Sequence, residues 1–364
     1  MNFQIVPMLP GDLYDAAARF CTEAMAALAA PGADTAVVRH ALWRQAVEMG
    51  WPAILITEDR GGAGGTLLDV ASVVEALGRS ALALPIVDRA AVVPTLLALC
   101  ETPQAAALLA QIASGEADVA SVLGLSSRLH ADLTVAATHY LVALPERRML
   151  VALEARALPL GRRYRSVDGR VMADVLTDRI EPDAAGVVAR GEAFDRACAA
   201  AAGVGALLVC AETVGAQGAL VELTIDYLNT RKQFGHALAT FQVLRHRVVD
   251  MYVAFECTRG LVGRTLQDCV DGVDGVDGAG PDARSVSLVK GYVGRTGRLC
   301  AEAAIQLHGG MGMTEELLVA RVAERALSAE FDYGDRYFHL RRLGTQKARP
   351  PAGEPARAAD ALMA

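Results

Sequence analysis

Thr230-Arg231-Lys232-Gln233-Phe234-Gly235-His236-Ala237-Leu238-Ala239-Thr240-Phe241-Gln242 interrupts a helix-patterned run that begins near Gly191 and leads through Tyr227. Its pattern is Arg-x-x-Phe-Gly followed by Phe-Gln, and Arg231 supplies a planar fork of donors suited to a pyrophosphate. A second segment follows downstream, Ile305-Gln306-Leu307-His308-Gly309-Gly310-Met311-Gly312-Met313-Thr314-Glu315-Glu316. Gln306 offers an amide that both donates and accepts. Gly309 and Gly310 end a helical pattern and carry no Cβ, so backbone N–H groups there are open to close approach by a ligand. Thr314 reads as an N-cap, with Glu315 and Glu316 in the first turn of the next helix. His308 has two readings, a hydrogen-bonded structural histidine or a cofactor contact. Each segment alone fits a surface arginine at a helix end or an ordinary glycine C-cap. Together they suit a dinucleotide.

As an ordered pair with compatible spacing, the Arg231-x-x-Phe234-Gly235, Phe241-Gln242 and Gln306–Gly310 motifs resemble the acyl-CoA dehydrogenase family. The resemblance implies FAD as cofactor and an acyl-CoA thioester as substrate. It assigns cofactor binding to Arg231, Gln233, Phe234, Gln242, Gln306, Gly309 and Gly310. It also implies a mainly α fold with a small β-domain: an amino-terminal helical domain, a short β-domain and a carboxy-terminal four-helix bundle.

Length and composition agree with a multidomain chain. The 364 residues allow two or three domains with a sizeable core. With 35 Lys and Arg against 42 Asp and Glu, the formal net charge of -7 provides no global basic field for nucleic acid or an anionic membrane. No apolar run reads as a membrane span, and the first residues lack a basic stretch followed by an apolar one, so a cytoplasmic chain is expected. The seven cysteines, at positions 21, 100, 198, 210, 257, 269 and 300, show no metal-ligand or redox spacing and read as buried thiols.

Three domains are expected. Residues 1–115 carry helical periodicity, with Leu13, Ala17 and Phe20 on one face and Ala41, Ala46 and Met49 on another. A glycine-rich loop follows at Trp51–Gly65, where glycines permit positive φ. This loop, with Asp69 and Glu75-Ala-Leu-Gly78-Arg79 after it, looks like the family's amino-terminal domain. Residues 116–190 turn to short β-rich runs, Val119–Leu123, Leu133–Ala136, Tyr140–Leu144 and Met149–Leu153. Residues 191–345 return to long helices; Val286, Val289, Val293, Cys300, Ala304 and Leu307 recur at helical spacing and deliver Gln306 to a helix end. The Asp271–Pro281 segment reads as a glycine-aspartate linker without a calcium-loop ligand set, and 346–364 as a disordered tail.

The departures from the family pattern carry the functional argument. Relatives remove an α-proton with a glutamate, and counting from Ile305 places that position on Tyr333, a poor base with a reference pKa of about 10. The alternative family position, counted back from Arg231, falls on Gly205, with Ala206 where many relatives carry an arginine. Glu212 shares Gly205's helical face but lies about 10 Å along the axis, which gives it a structural reading. Asp332 and Asp335 flank Tyr333 and are the remaining carboxylates within reach. Segments that line the flavin ring in relatives have no clear match in the β-domain. The resemblance therefore implies a subunit that completes the FAD site of a paralogous catalytic partner in an α2β2 assembly, as in heterotetrameric acyl-CoA dehydrogenases acting on bulky, including steroid-derived, thioesters. Other readings are a homo-oligomeric dehydrogenase with an aspartate base, a flavin monooxygenase on the same fold, and a cofactor-free scaffold.

Overall fold

The computed structural model describes residues 4–124, 129–181, 186–272, 281–314 and 317–345. Helices α1 (Asp12–Leu28), α2 (Thr35–Glu48), α3 (Leu67–Ser80), α4 (Val93–Ala98) and α5 (Pro103–Ala113) come first. Asp69, at the third position of α3, accepts the Thr66 backbone N–H at 2.7 Å and closes the helix start. Gly61 and Gly64 take positive φ of 83° and 63° in the loop before it, as its glycine content predicts. On α2 the buried face is Leu42, Trp43 and Ala46; Ala41 and Met49, expected to share it, are exposed.

Two small sheets follow. Strands β1 (Val119–Val122), β3 (His139–Leu144), β4 (Met149–Glu154) and β7 (Val187–Arg190) form one, in the order β1-β3-β4-β7. Strands β2 (Leu129–Asp132), β6 (Val171–Val175) and β5 (Leu160–Arg165) form the other, in that spatial order. The expected strand at Leu133–Ala136 is instead a bend after β2. There the Asp132 carboxylate accepts the Thr134 N–H at 2.8 Å, so a local side-chain bond competes with the ladder.

The carboxy-terminal half is built on α6 (Gly191–Thr230), 40 residues rich in alanine, a strong helix former. After it come a two-stranded hairpin, β8 (Lys232–Gln233) with β9 (His236–Ala237), then α7 (Gln242–Val270), α8 (Ala283–His308), α9 (Leu318–Ala329) and α10 (Arg336–Thr345). Helix α6 packs against α3, α7, α8 and α9. It is long and apolar enough by composition to cross a membrane, contrary to the sequence reading, and most of that stretch is buried in the bundle. At the α3–α6 crossing, a Cβ added to Gly78 would meet the Glu212 carbonyl oxygen at 2.0 Å, and one added to Gly215 would meet the Glu75 carbonyl oxygen at 2.0 Å. Only glycine permits that approach.

Buried charges join the parts. Arg89, buried on the π-helical turn before α4, pairs with Asp118 at 2.5 Å and donates to the Val135 carbonyl at 2.6 Å; Asp118 also accepts the Trp43 indole N–H at 2.6 Å. Among the cysteines, Cys257 is exposed, and Cys198 and Cys269 are partly so, which corrects the expectation of uniformly buried thiols. Residues 346–364, Glu315, Glu316 and most of the Asp271–Pro281 linker lie outside the described residues.

Candidate functional site

Two regions carry the residues singled out by sequence. The first is at the ends of α6 and α8. Arg231 leaves the helix in an extended conformation, and its N–H is held by the Tyr227 carbonyl at 2.8 Å. Phe234 and Gly235 both have positive φ, 55° and 81°, between the paired residues Gln233 and His236. Both central residues at positive φ match a two-residue hairpin of type I′, a conformation strained for phenylalanine. The Phe234 ring is 85% exposed and meets Phe241 edge-on at 6.2 Å.

The second motif is brought alongside. Tyr227 stacks on His308 with ring centroids 4.3 Å apart, and its hydroxyl donates to the His308 carbonyl at 3.3 Å. His308 itself is buried, its Nδ1 2.8 Å from the Ala304 carbonyl oxygen, and burial lowers its pKa. Its geometry is that of a structural histidine, with Gly309 ending α8 immediately after it at φ 61°. Arg231, Gln233, Gln242, Gln306, Gly309 and Gly310 are all exposed, and space is open beside the missing Cβ of Gly235, Gly309 and Gly310. Fork, amides and open backbone are thus all turned to solvent and carry free donors. Thr314 does not cap the next helix: it closes the short 3₁₀ turn Gly309–Met313, its hydroxyl donates to the Met311 carbonyl, and α9 begins only at Leu318.

The second region is a cavity of about 520 Å³ between α3, α6, the β-domain and the segment joining α9 to α10. Tyr333, Asp332, Asp335 and Glu212 line it. A Cβ at Gly205 would lie 2.6 Å from two atoms of the Tyr333 ring, so the two places counted as base positions touch each other. Tyr333 has φ 55°, its carbonyl is 3.0 Å from His339 Nε2, and burial raises its phenol pKa well above the usual value.

The carboxylates nearby are engaged. Arg325, buried on α9, binds Glu212 through two contacts at 2.7 and 2.6 Å, and through one nitrogen reaches Asp168 at 2.9 Å and Asp332 at 3.0 Å. Arg170 adds Asp332 at 3.1 Å and the Ser328 hydroxyl at 3.2 Å. Although burial opposes ionisation, Arg170 and Arg325 hold the Asp332 pKa below its usual value, and Asp168 is lowered likewise. Asp335 accepts the Phe338 N–H at 2.7 Å and caps α10. Lys290, buried, donates to the Ala329 and Glu330 carbonyls at 2.6 and 3.2 Å and so fixes the segment that carries Tyr333. Sequence reasoning missed Arg325, Asp168, Arg170 and Lys290; only an arginine in an otherwise apolar face of α9 hints at the first.

A helical amino-terminal domain, a small β-domain and a long-helix bundle with paired dinucleotide-type motifs define a flavoenzyme architecture. Comparison with known proteins agrees: residues 195–346 match the acyl-CoA dehydrogenase carboxy-terminal domain and 11–116 the amino-terminal domain. Acyl-CoA dehydrogenase IpdE2 of Mycobacterium tuberculosis is 30% identical over 81% of this chain and 86% of its own length. In the ChsE4-ChsE5 complex from Mycobacterium tuberculosis, a chain 18% identical superposes with a TM-score of 0.75, covering 94% of this chain and 100% of that one. The Tcur3481-Tcur3483 steroid enzyme gives 0.74 at 22% identity, covering 92% and 96%. This chain belongs to the acyl-CoA dehydrogenase family, a family of FAD-dependent oxidoreductases.

Proposed function

We propose that this chain is a subunit of a cytoplasmic heteromeric acyl-CoA dehydrogenase that lacks its own proton-abstracting carboxylate and completes the FAD site of a paralogous catalytic partner. The observation that carries the reading is the separation of the two regions. The flavin-motif residues face solvent and are absent from the cavity lining, while the cavity holds Tyr333 against Gly205 where a carboxylate is required. A phenol whose pKa is raised and an aspartate clamped by two arginines are both poor bases near neutral pH. FAD, when bound, supplies the hydride acceptor. Arg231 would neutralise its pyrophosphate, with Gln242 and Gln306 orienting polar edges and Gly309 and Gly310 admitting it closely.

The helices that carry these motifs also expose apolar side chains. Val243, Val249 and Val253 on α7 and Leu288 and Leu299 on α8 are exposed. Apolar residues in such a stretch favour burial against another chain. Two chains of each kind, α2β2, are proposed on this basis, and the heteromeric ChsE4-ChsE5 relative supports it. A steroid-derived thioester is the proposed substrate class, supported by the Tcur3481-Tcur3483 likeness.

The test is co-expression with candidate paralogues, followed by native mass, FAD stoichiometry and acyl-CoA-dependent bleaching. The chain alone is expected to hold little FAD and to be inactive, with both restored in the complex. Robust turnover by the chain alone that vanishes on Asp335→Asn or Asp332→Asn would establish a homomeric enzyme instead.

A further inference from the structure

Completing a partner's flavin site gives the 520 Å³ cavity no task. Its volume is that of a small-molecule site, and Leu77, Val209, Met172 and Phe338 supply apolar walls. Its charges are unevenly committed. Arg170 and Arg325 are matched by Asp168, Glu212 and Asp332, three carboxylates to two guanidiniums, so neither arginine is free to attract an anion. Asp88 and Asp132, like the helix-capping Asp335, line the cavity without an ion pair among the described residues. Asp88 accepts the Ser121 N–H at 2.9 Å and the Ser121 hydroxyl, and Asp132 accepts one N–H from Thr134. A carboxylate has about four acceptor sites, so both retain capacity. The two lie close enough for the charge of Asp132 to raise the Asp88 pKa, which burial chiefly pushes up to about 6. Tyr333 lines the same cavity. Arg341 lines the cavity from an exposed position on α10.

We propose that this cavity binds a compact apolar molecule that bears a hydroxyl or amino hydrogen-bond donor and no anionic group. The donor engages Asp88 and Asp132, and the apolar body lies against Leu77, Val209 and Phe338. An anionic head there would meet two unpaired carboxylates in a low-dielectric recess, whereas a donor satisfies acceptors that otherwise need water. The site stands whether or not the chain completes a partner's FAD site, because none of its residues belongs to the outward-facing flavin motifs.

The test is calorimetric titration of the full chain with three probes on one frame: 1-aminoadamantane, 1-adamantanol and adamantane-1-carboxylate. The amine and the alcohol are expected to bind, with the carboxylate at least about tenfold weaker. Asp132→Asn should weaken the amine by at least about tenfold. Val209→Phe, confirmed folded by circular dichroism, should abolish binding of the amine and alcohol by filling the recess; if it does not fold, Asp88→Asn serves with Asp132→Asn. Equal or tighter binding of the carboxylate, lost on Arg341→Ala, would overturn the proposal. So would an absence of binding by all three probes at millimolar concentration, or amine binding indifferent to both aspartate substitutions.

Discussion

The ring of Tyr333 occupies the space that any side chain at Gly205 would need: a Cβ there would sit 2.6 Å from the ring's Cε1 and Cζ. Two positions 128 residues apart in sequence, the two at which the sequence reading expected a base, compete here for one volume. The tyrosine has taken it, with its backbone carbonyl 3.0 Å from His339 Nε2.

Gly205→Ala should therefore destabilise the chain by about 1–3 kcal/mol through overpacking. Combining it with Tyr333→Ala should recover most of that loss, since the clash is removed. Urea unfolding of the two single variants and the double variant measures the coupling; strictly additive losses would show that the ring does not define the constraint.

Arg231→Ala should lower FAD retention by the assembled complex by about 1.5–3 kcal/mol, the loss of a charge-assisted contact. Gln306→Ala should act in the same direction and more weakly. Both side chains are exposed, so thermal unfolding of the chain alone should barely move. Unchanged FAD affinity in both variants would remove the cofactor role from these motifs.

Arg325→Met should destabilise by about 3–5 kcal/mol, because Glu212 is left buried without its counter-charge. Glu212→Leu in the same chain should restore part of the stability. A double-mutant cycle by chemical denaturation tests this, and a double variant as unstable as the sum of its parts would rule out a dominant Glu212–Arg325 pairing.

The pH dependence follows from His339, whose pKa burial lowers to about 4. The folded value lies below the unfolded value of about 6.5, so the unfolded chain binds the extra proton first. Stability is fully present above about pH 6.5 and declines as pH falls toward 4. The denaturation midpoint should drop between pH 7 and 5, and His339→Gln should flatten that drop. An identical slope in the variant would assign the effect to other groups.

Much of the fold was legible because its signals are local. The alanine-rich run from Gly191, the spaced apolar residues ahead of Gln306 and the glycines at 61 and 64 each declare a conformation within a few residues. The strands were harder: β5, Leu-Gly-Arg-Arg-Tyr-Arg, lies at a sheet edge with its arginines outward and lacks an alternating apolar face. Ala41 and Met49 were misplaced because alanine and methionine fit either side of a helix, and Leu42 and Trp43 decide the face. Thr314 has the composition of a cap, yet its hydroxyl turns back to Met311. The arginine array was invisible for a different reason. Arg325 and Glu212 lie 113 residues apart, and nothing in either neighbourhood names the other.

The glycine crossing of α3 and α6 sets a limit on how this molecule can vary. Gly78 rests on the backbone of Glu212 and Gly215 on the backbone of Glu75. Those two glutamates hold different parts of the chain, Glu212 binding Arg325 and Glu75 accepting the Met8 and Leu9 amides. One fulcrum thus fixes the distance between the amino-terminal arm and the wall of the cavity. A methyl group at either glycine would move both ends at once, so new cavity shapes are open to this lineage through its loops and closed to it through the spacing of its helices.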